Sequence, residues 1–200
     1  MKPLFLPVLF LLFLTHLTPL HARSRLRYQA TVGYAINTFN QNLFSNWGRG
    51  WMFGGGVGYA ATSRLVVTLK GAYTRYTLTG SFTPYNIPDT RSIGNGARGE
   101  GTHTVGVTLE LRYELGNRAV RPFIYVGAGA AAIDLGKMFL GAQTAPVRGT
   151  GRMIGEFRTD FGFGVLGPEL DGYRLGLQIG LVTGFQTGAE IILIRLLVSF

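Results

Sequence analysis

Cysteine is absent from the 200 residues, so disulfides, thiolate metal sites and a lipid anchor attached through a cysteine are all excluded. Charge is scarce as well. Asp, Glu, Lys and Arg make up 14% of the chain, against roughly a quarter in an ordinary soluble domain. Beyond the N-terminus no run of about eighteen consecutive apolar residues occurs, so no later segment can cross a bilayer as a helix. A formal charge of +9 raises the question of nucleic acid, but the nineteen Lys and Arg are scattered singly rather than gathered in a stripe. That pattern argues against a nucleic-acid partner. What the chain has in quantity is apolar residues (46%), Gly (30) and aromatic rings (14 Phe, 9 Tyr), enough to order a compact structure but a poor inventory for a water-facing surface.

The N-terminus has the layout of an export signal: Lys2, the apolar run Leu4 to Leu14, then THLTPLHA with a cleavage point after Ala22. Leu20 is not small, and Arg23, Arg25 and Arg27 follow closely, so an uncleaved anchor is the alternative. The expected organisation is a signal peptide over 1–22 and a single domain over 23–200.

From Arg27 onward, apolar residues recur with a period of two, as in half-buried strands. One face carries Tyr28, Ala30, Val32, Tyr34, Ile36; then Trp51, Phe53, Val57, Tyr59; then Leu65, Val67, Leu69, Tyr73; then Val105, Val107, Leu109, Leu111, Tyr113. Phe123, Tyr125, Ala131 and Ile133 continue it, followed by Phe161, Phe163, Val165, then Tyr173, Leu175, Leu177, Ile179, Leu181, and a C-terminal set. These make eight strands. The opposite face carries Arg27, Lys70, Glu110, Arg112, Glu114, Asp134, Arg158, Asp160, Arg174 and Arg195, so charge is confined to one side. Connections at 40–50, 79–101, 136–156 and 183–190 are long and rich in Gly, Asn, Thr and Pro, whereas 61–64, 116–121 and 166–172 are short. An even strand count with long connections on one side and short ones on the other predicts an all-β, eight-stranded antiparallel up-and-down transmembrane β-barrel of an outer membrane, with both chain ends on the short-turn side.

A soluble barrel with a greasy interior would share this periodicity. Three features oppose it: the low charge, the alternation of loop lengths, and an aromatic ring at the short-turn ends formed by Tyr28, Tyr59, Tyr113, Phe123, Tyr125, Tyr173 and Phe200. Amphipathic rings at one level settle at a headgroup boundary.

The chain ends on IILIRLLVSF. Alternate residues Ile192, Ile194, Leu196 and Val198 lead to a terminal Phe200, a bare hydrophobic strand that would fray or aggregate unless paired. This ending resembles the terminal signal of bacterial outer-membrane barrels, and RPFIYVGAGAA (121–131) resembles a strand of the small barrels related to the OmpA transmembrane domain and OmpX. The resemblance covers about residues 25–200. It implies that Ile192, Ile194, Leu196, Val198 and Phe200 are read by the barrel-assembly machinery, and that outer-membrane lipids and lipopolysaccharide surround a monomer. It carries over no peptidoglycan-binding role.

Eight strands leave an interior only wide enough for side chains to fill. The inward charges, six bases and four acids, suit a mutually paired plug, since each would be costly to bury alone. A narrow wet path is the alternative. An apolar run expected to face inward, Ile124, Val126, Ala128, Ala130, Ala132 with Leu193 and Leu197, suggests a third reading, a pocket for small hydrophobic solutes like that of OmpW-like barrels; a face-swapping bulge would explain it too. Catalysis has little support. After the signal, His103 is the one histidine, flanked by Thr102 and Thr104 without the His-x-Ser pairing of a lipid A deacylase-like barrel. GNGARG (94–99) fits G-x-G-x-x-G but opens a strand and not a helix, so it is expected to be a loop tip. No cofactor or metal is expected. Arg49, Arg75, Arg91, Arg98, Lys137, Arg148 and Arg152 lie in or near the long loops, placed to meet lipopolysaccharide phosphates. The expected protein is a structural or surface-interaction barrel, not an enzyme.

Overall fold

The computed structural model describes residues 25–38, 47–78, 97–116, 119–140 and 150–200. The expected signal peptide (1–22), Arg91, Arg148 and Gly94 to Gly96 fall outside the described residues.

In chain order the strands are β1 (Leu26–Asn37), β2 (Trp47–Ala60), β3 (Leu65–Leu78), β4 (Ala97–Gly99), β5 (Thr102–Glu114), β6 (Arg121–Leu135), β7 (Met138–Leu140), β8 (Arg152–Leu170), β9 (Tyr173–Gly184) and β10 (Glu190–Ser199). Eight of them close into one antiparallel barrel in the order β1-β10-β9-β8-β6-β5-β3-β2. Successive wall strands are neighbours in space, and β10 seals the wall by pairing with β1 from Gln29↔Ser199 to Asn37↔Ile191. Phe200 extends that seam: its N–H donates to the Tyr28 carbonyl at 2.8 Å, and the Tyr28 N–H donates back at 3.3 Å. The greasy terminus is thus a paired strand with no free edge, which a barrel in lipid requires.

Local chemistry sets the turns. Asp171 and Gly172 link β8 to β9 with positive φ at both positions (48° and 88°), the two-residue turn whose twist matches antiparallel strands. Between β2 and β3 the Thr62 hydroxyl accepts from the N–H groups of Arg64 and Leu65 at 3.2 and 2.9 Å. The β9–β10 connection is shorter than expected, because β9 persists to Gly184 and β10 begins at Glu190.

The two short strands, β4 and β7, pair with each other beyond the rim of β5 and β6. This corrects the expectation that GNGARG is wholly a loop tip, since its last three residues form β4. A three-residue strand is too short to display a period, and its partner comes from another loop. The Glu100 N–H donates to the Lys137 carbonyl at 2.9 Å and bridges the gap between the barrel and this small sheet.

The wall is apolar outside and charged inside. Leu196 is 60% exposed while its neighbour Leu197 is 1% exposed, so β10 turns Ile192, Ile194 and Leu196 outward and Ile191, Leu193, Arg195 and Leu197 inward. On β5 the exposed set runs from Val105 to Tyr113, the length of about nine residues that a tilted strand needs to cross the hydrocarbon.

Strand β6 departs from the expected facing. Phe123 (1% exposed) and Tyr125 (5%) point into the lumen, so neither belongs to the outer aromatic ring. Ile124, Val126, Ala128, Ala130 and Ala132 are exposed on the outward face, so of the greasy lining expected for an interior pocket only Leu193 and Leu197 turn inward. Asp134 also lies on the outward face and is exposed, which removes it from the lumen charge set. The cause is that both faces of β6 are apolar or small, so its own residues do not mark which side is which. The room for inward rings comes from glycines on the adjoining strands β8 and β9: a Cβ on Gly162 would come within 2.9 Å of the Tyr125 hydroxyl, one on Gly180 would strike that hydroxyl, and one on Gly164 would strike the Phe123 ring.

Candidate functional site in the lumen

Ion pairs fill the lumen from the short-turn end upward. Arg174 closes that end: its guanidinium donates to Glu169 at 2.8 Å and to the carbonyls of Gly167 and Ala119 at 3.1 and 3.2 Å. Above it Glu114, buried, takes Arg121 at 3.0 Å and faces Arg112 at 3.6 Å, while the Arg112 guanidinium rests on the Phe123 ring, 5.4 Å from its centre.

The middle of the lumen holds two linked pairs. Lys70 Nζ donates to Glu110 Oε2, and the Gln178 amide donates to the same oxygen at 3.2 Å. Arg195 Nη2 donates to Asp160 Oδ2 at 2.5 Å, and the Tyr125 hydroxyl donates to Asp160 Oδ1 at 3.0 Å. Tyr125 joins the two, with Lys70 Nζ 5.7 Å and Arg195 Cζ 5.6 Å from its ring centre. Lys70 and Glu110 do not stand directly opposite one another. Glu110 pairs in register with Thr68, and Lys70 with Thr108, so the contact is a diagonal that a long lysine spans.

Toward the long-loop end Arg158 Nε donates to Glu156 Oε2 at 2.6 Å, and Glu156 Oε1 accepts from the Thr187 N–H at 2.9 Å and from its hydroxyl. Beyond this pair the interior turns apolar: Trp47, Met52, Tyr76, Ile133, Met138, Ile191 and Leu193 pack as one buried cluster. Trp47 Nε1 donates to the Glu100 carbonyl at 3.0 Å, and Met138 comes from β7, so the small outer sheet contributes to the roof.

Of the expected lumen residues, Lys70, Glu110, Arg112, Glu114, Asp160, Arg174 and Arg195 are buried and paired as described. Arg158 is paired and half-buried. Arg27 sits on the inward face without an ion pair among the described residues. Phe123, Tyr125, Arg121, Glu156 and Gln178 contribute to the network although the sequence does not single them out for it. Loop composition places Glu156 in a connection, yet Ile154, Glu156 and Arg158 continue the alternation of β8. Gln178 sits on the polar face of β9, but an uncharged amide gives no reason to place it in a charge network.

On the outer wall Tyr59 and Tyr113 are exposed, and Tyr28, Tyr173 and Phe200 half-buried, at the short-turn rim. The far rim carries Tyr34 packed edge-on against Trp51, ring centres 5.2 Å apart, and Tyr73. Above these Arg49 and Arg75 are exposed. His103 Nδ1 lies 2.5 Å from the Tyr73 hydroxyl, with Arg75 and Asp134 as its cross-strand neighbours. No group of three or more His, Cys, Asp or Glu among the described residues is arranged to hold a metal ion.

The barrel is similar to solved outer-membrane barrels, among them two with a TM-score above 0.5. A major outer membrane protein from Thermus thermophilus shares 12% identity over 90% of this chain and 99% of its own, with a TM-score of 0.58. Neisserial surface protein A shares 14% identity over 88% of this chain and 96% of its own, with a TM-score of 0.55. At such identities the likeness concerns the fold alone. No curated protein matches the chain in sequence. A sequence profile described as the outer membrane protein beta-barrel domain matches residues 7–171. With most of the chain inside that profile and a closed eight-stranded wall that is greasy outside and ionic within, the chain belongs to the outer membrane protein beta-barrel domain family, and its place is the bacterial outer membrane.

Proposed function

We propose that the protein is a closed, non-enzymatic barrel that serves the structure of the outer membrane and offers its long-loop end to the outside as an interaction surface. The filled lumen carries this reading. The interlocked pairs Lys70–Glu110 and Arg195–Asp160 cross its middle, and the apolar cluster around Trp47 covers them. Passage of hydrophobic solutes has less support, since the run Ile124 to Ala132 faces outward and only Leu193 and Leu197 of the expected greasy lining turn into the lumen.

Planar-bilayer recording tests the plug. The wild-type barrel should conduct near background, and Glu110→Gln should lower stability without opening a pore. A Glu110→Gln variant with unchanged melting and a clear shift of selectivity toward anions would instead establish a wet pathway.

Two surface roles belong to the same proposal. Arg49 and Arg75, exposed above Trp51 and Tyr73, meet lipopolysaccharide phosphates, so replacing both with Gln should remove any stabilisation of the barrel by added lipopolysaccharide. The strand Ile192, Ile194, Leu196, Val198, Phe200 serves as the assembly signal. Deleting Phe200 should therefore reduce assembly in cells far more than stability in detergent; equal loss in both would make it a packing residue.

A further inference from the structure

A cavity of about 70 Å³ lies in the lumen between the Arg195–Asp160 pair and the apolar roof of Met52, Tyr76 and Ile191. Thr104, Arg158 and Arg195 line it, and each carries a buried polar atom with no hydrogen-bond partner among the described residues: Thr104 Oγ1, Arg158 Nη2 and Arg195 Nε. Thr104 and Arg195 are 3% and 4% exposed. Two of these atoms can only donate, and the third is a hydroxyl that can. Asp160 also lines the space, but its two oxygens already accept from Tyr125 and Arg195. The wall therefore presents three unused donors, against one carboxylate whose charge is already paired with Arg195. Leaving such donors bare in a closed interior is costly, and the species that meets them all is an acceptor without protons of its own.

We propose that this cavity is a binding site for a small monovalent anion, a halide or a carboxylate of two or three carbons. Size sets the upper limit, because a cavity of about 150 Å³ is what a benzene-sized guest needs. Charge sets the sign. Three bases, Lys70, Arg158 and Arg195, line the cavity against one acid, Asp160. The site stands independently of the closed-barrel function, since an anion held here is a fixed part of the filling and not a passing solute.

Crystals soaked in sodium bromide give the direct test: anomalous scattering should place a bromide against Arg195 and Thr104. In detergent at constant ionic strength, replacing chloride with gluconate, an anion too large to enter, should lower the melting temperature by about 3 °C. Thr104→Val, which keeps shape and removes the hydroxyl, should lose at least half of that shift. Thr68→Val, a buried lumen change away from the cavity, should keep it. No bromide in the cavity, equal melting in chloride and gluconate, or an undiminished shift in Thr104→Val would each overturn the proposal and leave the cavity to water. Should Thr104→Val fail to assemble, the bromide map of the unaltered protein decides by itself.

Discussion

Strands β5 and β6 lie side by side, cross the same membrane and have nearly equal lengths, yet they hand opposite chemistry to the lumen. β5 turns Thr104, Glu110, Arg112 and Glu114 inward, so its inner face is polar and its outer face, Val105 to Tyr113, is grease. β6 turns Phe123, Tyr125, Ala131 and Ile133 inward and is mostly apolar on both sides. The inside of this barrel is therefore not simply its polar side. β5 supplies charges, and β6 supplies the rings on which cations rest: Arg112 on Phe123, and Lys70 and Arg195 on Tyr125. A ring face favours a cation and costs little to bury, so an aromatic strand stabilises an ionic interior without adding a charge of its own.

The contrast between the two strands breaks first at Glu110. Glu110→Gln leaves Lys70 buried without its partner, and should cost about 3 kcal/mol, less where water enters, measured by urea unfolding in detergent. A loss below about 0.5 kcal/mol, the range of a surface change, would show that β5's charges are solvated. Next comes the accommodation of β6. Gly180→Ala forces the Tyr125 hydroxyl aside and should cost about 1–3 kcal/mol. Tyr125→Phe in the same background should recover part of that loss, a coupling that would be absent if Tyr125 faced the lipid.

Tyr125→Phe alone removes a hydrogen bond to a carboxylate and should cost about 1.5 kcal/mol. The smallest effect is expected from Asp134→Asn, within about 0.5 kcal/mol, because β6's one acid is exposed on the outer face. A loss there comparable to that of Glu110→Gln would return Asp134 to the lumen. Facing itself can be read with spin labels on single cysteines, which the cysteine-free chain permits. A label at Ala128 should be open to oxygen dissolved in lipid, and one at Ala131 should be shielded.

The strand count, the antiparallel closure and the inward facing of Lys70 and Glu110 are legible in the sequence because the charges of β5 all fall on one face and Lys70 of β3 falls on the matching one, so the alternation has a sign. Asp171-Gly172 marks its turn by residue type. Alternation misplaces Asp134, Phe123 and Tyr125 because β6 has no such sign: large rings at one end and alanines at the other fit either face. The pairing of β4 with β7 leaves no trace, since three residues from each of two distant loops make no local pattern. The inward glycines of β8 and β9 are visible, but they suggest an emptier wall, when Gly162, Gly164 and Gly180 are the spaces that the rings of β6 fill.

Residue order alone points to the class of object: period-two strands with grease on one face and charges on the other, joined by alternately long and short connections in a chain poor in charge, suit a closed wall in lipid. Which way the ambiguous strand turns is settled only in three dimensions. A slip of one residue flips every side chain of a strand, and β6 alone gives no energetic reason to prefer either face. The preference arises from its register with Glu110 and Asp160 on the neighbouring strands, and from the room left by glycines on β8 and β9 beside it, contacts that exist only once the strands have paired.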